Sequence, residues 1–286
     1  MWSRNCPFKI KDDEVGYAGD AFFIKESGTL CGYYIPSEES GVLTIPKEVR
    51  IIPNGYKFSH QNIKKLVIKG DPEDEFLSFE YDGKNLEEIV FEDTFGRWWL
   101  KSDMFRGCEN LRAVTMPKNI RIIPQNMFRG CKKLSHIEIP QSVREIRAGA
   151  FQNCKTLANV TLPEELVKIE KEAFRDCSAL TEIVIPDGVK VIESEAFYCC
   201  SSLKSVSLPA SLLHIHGKVF DGCPQLQTIV FRGSKKQWKA VKKGHEETTG
   251  SSFQDFSRVG YDYAYSTTHQ IPFELPNSTC QMVFEP

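Results

Sequence analysis

Cysteine recurs at a fixed interval of 23 residues, at Cys108, Cys131, Cys154, Cys177, Cys200 and Cys223, each three positions after a phenylalanine. Thiols in such a column invite a disulfide reading first. Stacked turns of chain lie about 4.8 Å apart with equivalent side chains parallel. A disulfide wants Cβ atoms about 3.8 Å apart and inclined toward each other. The column is therefore expected to hold buried free thiols acting as small apolar fillers, which suits a reducing compartment. Cys199 departs from the pattern, because the residue before the repeat cysteine is otherwise Gly107, Gly130, Asn153, Asp176 or Gly222. Those types tolerate a left-handed backbone. Cys199 should be strained or shifted, and more exposed than Cys200. It reads as a tolerated substitution, since a thiol-dependent enzyme would need an activating base that no motif supplies.

Other reactive side chains are sparse. His214 and His216 flank Ile215 and should point outward together, but no third ligand is near in sequence, so they read as two solvated imidazoles. The acidic run Asp71-Pro72-Glu73-Asp74-Glu75 lacks the spacing of an EF-hand loop. No G-x-S-x-G, P-loop, H-E-x-x-H, G-x-G-x-x-G or paired C-x-x-C occurs. The reading is a protein with no catalytic residues, no metal site and no cofactor.

The elements that carry these residues follow from the same period. Phe105, Phe128, Phe151, Phe174, Phe197 and Phe220 share the 23-residue spacing, and the unit reduces to F-x-x-C-x-x-L-x-x-V-x-L-P-x-x-L-x-x-I. A unit of this length cannot bury its apolar face alone, so the period marks a solenoid. Alternation such as Val160-x-Leu162 predicts a short strand, with Pro163 and its equivalents Pro46, Pro117, Pro140, Pro186 and Pro209 ending it for want of an N–H. Each Ala-Phe-x-x-Cys segment should form a single helical or 3-10 turn on the opposite side. The strand register extends from Ile45 through Ile68, Phe91 and Met116 to Phe231, with one 25-residue step. Residues 42–233 are thus a solenoid of about nine units, irregular at 92–115. Residues 1–41 should form a β-hairpin cap that covers the first exposed turn. Residues 234–286 should form a second cap: a helix over 234–243 opened by a Ser234/Gln237 capping box, a mobile loop, then short strands with a hairpin between Phe273 and Phe284.

Composition excludes several classes. The net charge is -2, with 26% charged and 41% hydrophobic residues. A nucleic-acid binder would show a basic surplus. No apolar run reaches signal-peptide or membrane-span length, so no membrane insertion is expected. The chain as it stands reads as cytoplasmic, and as a cell-surface protein if a leader has been removed.

The motif F-x-x-C-x-x-L-x-x-[VI]-x-[IL]-P-x-x-[VL]-x-x-I resembles the 23-residue leucine-rich repeat of the BspA-like family, over about residues 42 to 233. The flanking segments Gly28–Tyr33 and Phe231–Trp238 resemble those that bracket such arrays. The resemblance implies a right-handed α/β leucine-rich-repeat solenoid, or horseshoe, with a parallel sheet on its concave face. It also implies a binding role, often at microbial surfaces.

Within that frame the expected function is a scaffold for protein–protein interaction, with a bacterial adhesion protein binding a host matrix protein or glycan as the alternative. The chain reads as a monomer. Outward strand residues supply the candidate surface, notably His136, Glu138, Asn159, Thr161, Glu182 and Val184. Val42/Thr44, Lys65/Val67, Glu88/Val90, Ala113/Thr115, Ser205/Ser207 and Thr228/Val230 belong to the same columns. Aromatic or arginine anchors typical of binding hot spots are missing from them. Trp98 and Trp99 in the irregular unit, with Arg121 and Arg144 in a shared column, complete the candidate set. Ten acidic residues lie between Asp71 and Asp93, and eight Lys/Arg between Arg112 and Arg147. Compensation between neighbouring turns is the expected outcome of that asymmetry. Phe128, Phe151, Phe174, Phe197, Cys131, Cys154, Cys177 and Cys200 are expected to be structural.

Overall fold

A 23-residue coil closes only if each turn bonds to the next, and the computed structural model shows three separate sets of such bonds. It describes residues 2–4, 15–18, 21–24, 29–34, 41–49, 63–69, 83–92, 100–243 and 275–285. In chain order the first strands are β1 (Trp2–Arg4), β2 (Val15–Ala18), β3 (Ala21–Ile24), β4 (Leu30–Tyr34), β5 (Val42–Ile45), β6 (Lys65–Lys69), β7 (Glu88–Glu92) and β8 (Ala113–Thr115). From β9 (Ile122–Ile123) onward two-residue strands alternate with longer ones: β10 (His136–Glu138), β11 (Glu145–Ile146), β12 (Asn159–Thr161), β13 (Lys168–Ile169), β14 (Glu182–Val184), β15 (Val191–Ile192), β16 (Ser205–Pro209), β17 (His214–Ile215) and β18 (Thr228–Arg232). Helix α1 (Lys235–Ala240), β19 (Lys242–Lys243) and β20 (Gln281–Phe284) follow.

The N-terminal element is larger than a hairpin: β1, β4, β3 and β2 form a four-stranded antiparallel sheet. Leu30 of β4 is fully buried in the common core.

The first ladder is parallel and keeps the predicted register, pairing Ile45 with Ile68, Ile68 with Phe91 and Leu208 with Phe231. It is built in three pieces: β5-β6-β7-β8, β10-β12 and β14-β16-β18-β20. β12 and β14 run side by side without ladder pairing. Here the inward Val160 is half-buried, whereas its equivalents Ile137, Ile183 and Val206 are buried. Val67 corrects another expectation, being buried rather than outward. Pro209 does not lie beyond its strand but is the last residue of β16. The expected hairpin at Phe273–Phe284 is replaced by β20, which lies parallel to β18 with Phe284 opposite Phe231.

A second parallel ladder, β9-β11-β13-β15-β17-β19, was not expected from the sequence. Ile123, Ile146, Ile169, Ile192 and Ile215 point inward from it and are fully buried. This ladder also shortens the helix, whose predicted end was Lys243. The capping box is present, with the Gln237 N–H donating to Ser234 Oγ at 3.3 Å and the Ser234 N–H to Gln237 Oε1 at 2.8 Å. Val241 then turns extended, and Lys242–Lys243 become the last rung beside His214–Ile215.

On the third side the expected helical turns are chains of single turns. The Arg129 N–H reaches Asn126 O at 3.0 Å and the Cys131 N–H reaches Phe128 O at 3.1 Å, the i to i+3 spacing of a 3-10 turn. Intervening N–H groups leave the turn altogether: Asn126, Phe128 and Gly130 donate to Ala148, Ala150 and Gln152 of the next coil at 2.8–2.9 Å. Two left-handed positions per coil allow this. One column holds Asp103, Asn126, Gly149, Glu172, Glu195 and Lys218, with φ from 53° to 63°. The other holds Gly107, Gly130, Asn153, Asp176, Cys199 and Gly222, with φ from 56° to 78°. A left-handed residue on either side of the phenylalanine prevents a helix from propagating.

Between the three sides lies one core. Phe151 and Phe174 stack with centroids 5.2 Å apart, and Phe174 and Phe197 at 5.3 Å. The cysteines are free and buried, but they are more than fillers. Cys154 Sγ donates to Phe128 O at 3.2 Å, and Cys131, Cys177, Cys200 and Cys223 repeat the bond one coil along.

Candidate binding surface

Strand alternation sends every second side chain of the first ladder out of the core. How far each emerges varies along the coil. Val42 and Thr44, Glu88 and Val90, Ser205 and Ser207, and Thr228 and Val230 are half-buried. In the middle, Ala113, Thr115, His136, Glu138, Asn159, Thr161, Glu182 and Val184 are exposed. The structure thus gathers six of the predicted residues, His136, Glu138, Asn159, Thr161, Glu182 and Val184, into one open strip across β10, β12 and β14. Val184 is 59% exposed, the highest value among the large apolar side chains described.

The strip deepens into a groove of about 410 Å³ where β12 and β14 part. Asn159, Thr161, Glu182 and Val184 line it together with Val160, Leu162, Glu164, Pro186, Asp187 and Arg232. Arg232 is the residue that sequence reading missed. From the end of β18 its guanidinium reaches back across β16 to Ser207 Oγ at 2.9 Å, and on to Ile185 O at 2.6 Å and Asp187 Oδ1 at 2.8 Å. It closes one end of the groove and ties three rungs together. Only the Arg-Gly step after the last strand marked it in sequence.

The remaining predicted residues lie elsewhere. Arg121 and Arg144 are exposed at the corner between the two ladders, and Arg144 Nε pairs with Glu165 Oε2 at 3.1 Å. Trp98, Trp99 and the Asp71–Glu75 run fall outside the described residues. His214 and His216 are half-buried, and their backbone N–H groups bond to Lys190 O and Ile192 O. Among the described residues no His, Cys, Asp and Glu cluster could hold a metal ion. Cys199 lies at φ 56° in unshifted register, and burial pushes its thiol up, away from the thiolate form.

Ion pairs are organised by the coil. Glu87 pairs with Arg112, Lys65 with Glu88, Lys69 with Glu92 and Glu109 with Lys132, each joining neighbouring rungs. Glu87, Glu88 and Glu92 are the described members of the acidic run, and of their partners only Arg112 belongs to the basic run; the other seven acidic residues lie outside the described residues. On the second ladder Lys168, 6% exposed, meets Glu193 at 2.6 Å and Glu170 at 3.3 Å. Burial works against the Lys168 ammonium, but Glu193 and Glu170 outweigh it and hold its pKa above the usual value. Burial, aided by Glu193, raises the Glu170 carboxyl in spite of Lys168.

Residues 74–166 and 121–240 match the model of the BspA type leucine rich repeat region, with six copies. No curated protein sequence matches the chain. Among solved structures, a leucine-rich repeat protein from Bacteroides ovatus is 27% identical, with 79% of this chain and 49% of that one covered at a TM-score of 0.44. The chain therefore spans about half the length of that protein. The T. pallidum leucine rich repeat protein is 24% identical, covering 78% of this chain and 86% of its own at a TM-score of 0.44. A leucine rich cell surface protein from Faecalibacterium prausnitzii is 16% identical, covering 80% and 97% at a TM-score of 0.34. No helix among the described residues is long and apolar enough to cross a membrane.

Proposed function

The chain belongs to the BspA-type leucine-rich repeat family, and on that premise we propose that it is a non-catalytic scaffold that binds another protein through the strip formed by β8, β10, β12 and β14. One observation carries the reading. The outward side chains of those four strands are all exposed, while the corresponding side chains at β5, β7, β16 and β18 are half-buried. The centre of the ladder is open, and its small and β-branched side chains let a partner's backbone come close. The thiol chemistry an enzyme would need is disfavoured by the raised Cys199.

A selection of displayed protein fragments on the full chain tests this, repeated with a Glu138→Arg/Thr161→Arg variant whose thermal unfolding matches the parent. Fragments retained by the parent and lost by the variant are the expected result. Fragments held equally by both would remove the strip as the site. An empty selection joined to a positive glycan array would replace protein binding with the adhesion reading.

A further inference from the structure

Of the fourteen carboxylates between residues 100 and 243, ten are matched by a cation on their own or a nearby rung, as Glu109, Glu165, Asp187 and Glu193 are. Between residues 100 and 243, Glu138, Glu164, Glu182 and Asp221 carry no ion pair among the described residues. Three of these four belong to the strip or the groove that opens from it. Glu164 and Glu182 line the groove itself, where the only cation among the lining residues, Arg232, is already engaged by Asp187 and two further acceptors. The groove also has an apolar part in Val160, Val184 and Pro186, reached because β12 and β14 are not laddered. Apolar surface beside unmatched negative charge suits a long side chain with an aliphatic stem and a cationic head.

Resting on the proposed binding role of the strip, we infer that the groove between β12 and β14 docks an extended basic segment of the protein partner. A lysine or arginine stem lies against Val160 and Val184, and its head is met by Glu164 and Glu182. Asn159 and Thr161 supply polar contacts to the segment's backbone. Charge complementarity selects this occupant over an acidic or purely apolar one.

The test is fluorescence anisotropy with two labelled nine-residue peptides, one alternating arginine and valine and one alternating glutamate and valine, titrated with the full chain. The arginine peptide is expected to bind at least about tenfold more tightly than the glutamate peptide, and more weakly as salt rises. Glu164→Gln/Glu182→Gln should weaken it by roughly fivefold to tenfold. Asp221→Asn, which removes an unmatched carboxylate outside the groove, should leave it unchanged. Equal binding of both peptides, no binding of either, or full affinity in the double variant would each overturn the inference. Should the fragment selection return acidic or neutral sequences that the strip variant loses, the binding role stands and the basic-segment inference alone falls.

Discussion

Cys177 Sγ lies 3.2 Å from the carbonyl oxygen of Phe151, one coil back in the solenoid. The same bond joins Cys200 to Phe174 and Cys223 to Phe197, so each thiol caps a carbonyl that the phenylalanine stack encloses. The Phe151 carbonyl also accepts the Cys154 N–H at 3.2 Å, so the Cys177 thiol fills its second acceptor position.

Cys177→Ala removes both the sulfur's volume and the donor. A loss of about 1–2 kcal/mol is expected, from cavity and hydrogen bond together. Cys177→Ser keeps the donor and should recover part of that loss, as urea unfolding of the two variants would show.

Burial pushes the thiols of Cys131, Cys154 and Cys177 well above the ordinary value, while Cys200 is raised first by the neighbouring Cys223 thiol and then by burial. A raised folded pKa means the folded state keeps its proton after the unfolded chain has lost it. Stability should therefore be full below the unfolded thiol pKa of about 8.5 and fall as pH rises from there toward the folded values. Urea midpoints between pH 8 and 10 should drop more steeply for the parent than for a Cys131→Ala/Cys177→Ala variant. Native-state alkylation follows the same logic, with Cys199 labelled before the column.

A Cβ at Gly222 would meet Cys199 Sγ at 2.6 Å, and the position has φ +72°. Gly222→Ala should cost roughly 2 kcal/mol or more, from strain and clash. Cys199→Gly removes the Sγ contact, leaving the backbone Cα and N of that residue at 3.2 and 3.3 Å, and relieves a left-handed cysteine at φ 56°. On its own it should be neutral or stabilising, and the double variant should be more stable than the sum of the singles, by about 0.5 kcal/mol or more. Strict additivity in denaturant titrations would contradict this coupling.

Lys168→Ala leaves Glu170 and Glu193 facing each other beside the second ladder without their shared ammonium. A loss of about 3 kcal/mol at pH 7 is expected. With Glu170 already raised, the variant should regain stability as pH falls, because protonation then favours the folded state. Thermal unfolding of parent and variant from pH 7 to 5 would show the gap narrowing, and a constant gap would refute the account.

The sequence alone determined the coil. A 23-residue period with apolar residues at fixed offsets sets which side chains face inward, so the register from Ile45 to Phe231 and the Ser234/Gln237 capping box follow from residue types and spacing. These are local or strictly periodic properties, and periodicity survives translation along the chain. The outward columns were legible for the same reason, and with them His136, Asn159 and Glu182. What only the tertiary structure decided depends on distances between coils. Two-residue strands such as Glu145–Ile146 are too short to carry an alternation pattern, so the second ladder appears only when its rungs are stacked. β20 joins β18 from far down the chain, with Gln281 opposite Thr228 at the near end and Phe284 opposite Phe231 at the far end. The parting of β12 from β14 and the return of Arg232 to Ile185 have the same origin: each reflects how neighbouring coils settle against one another, which no window of one coil encodes.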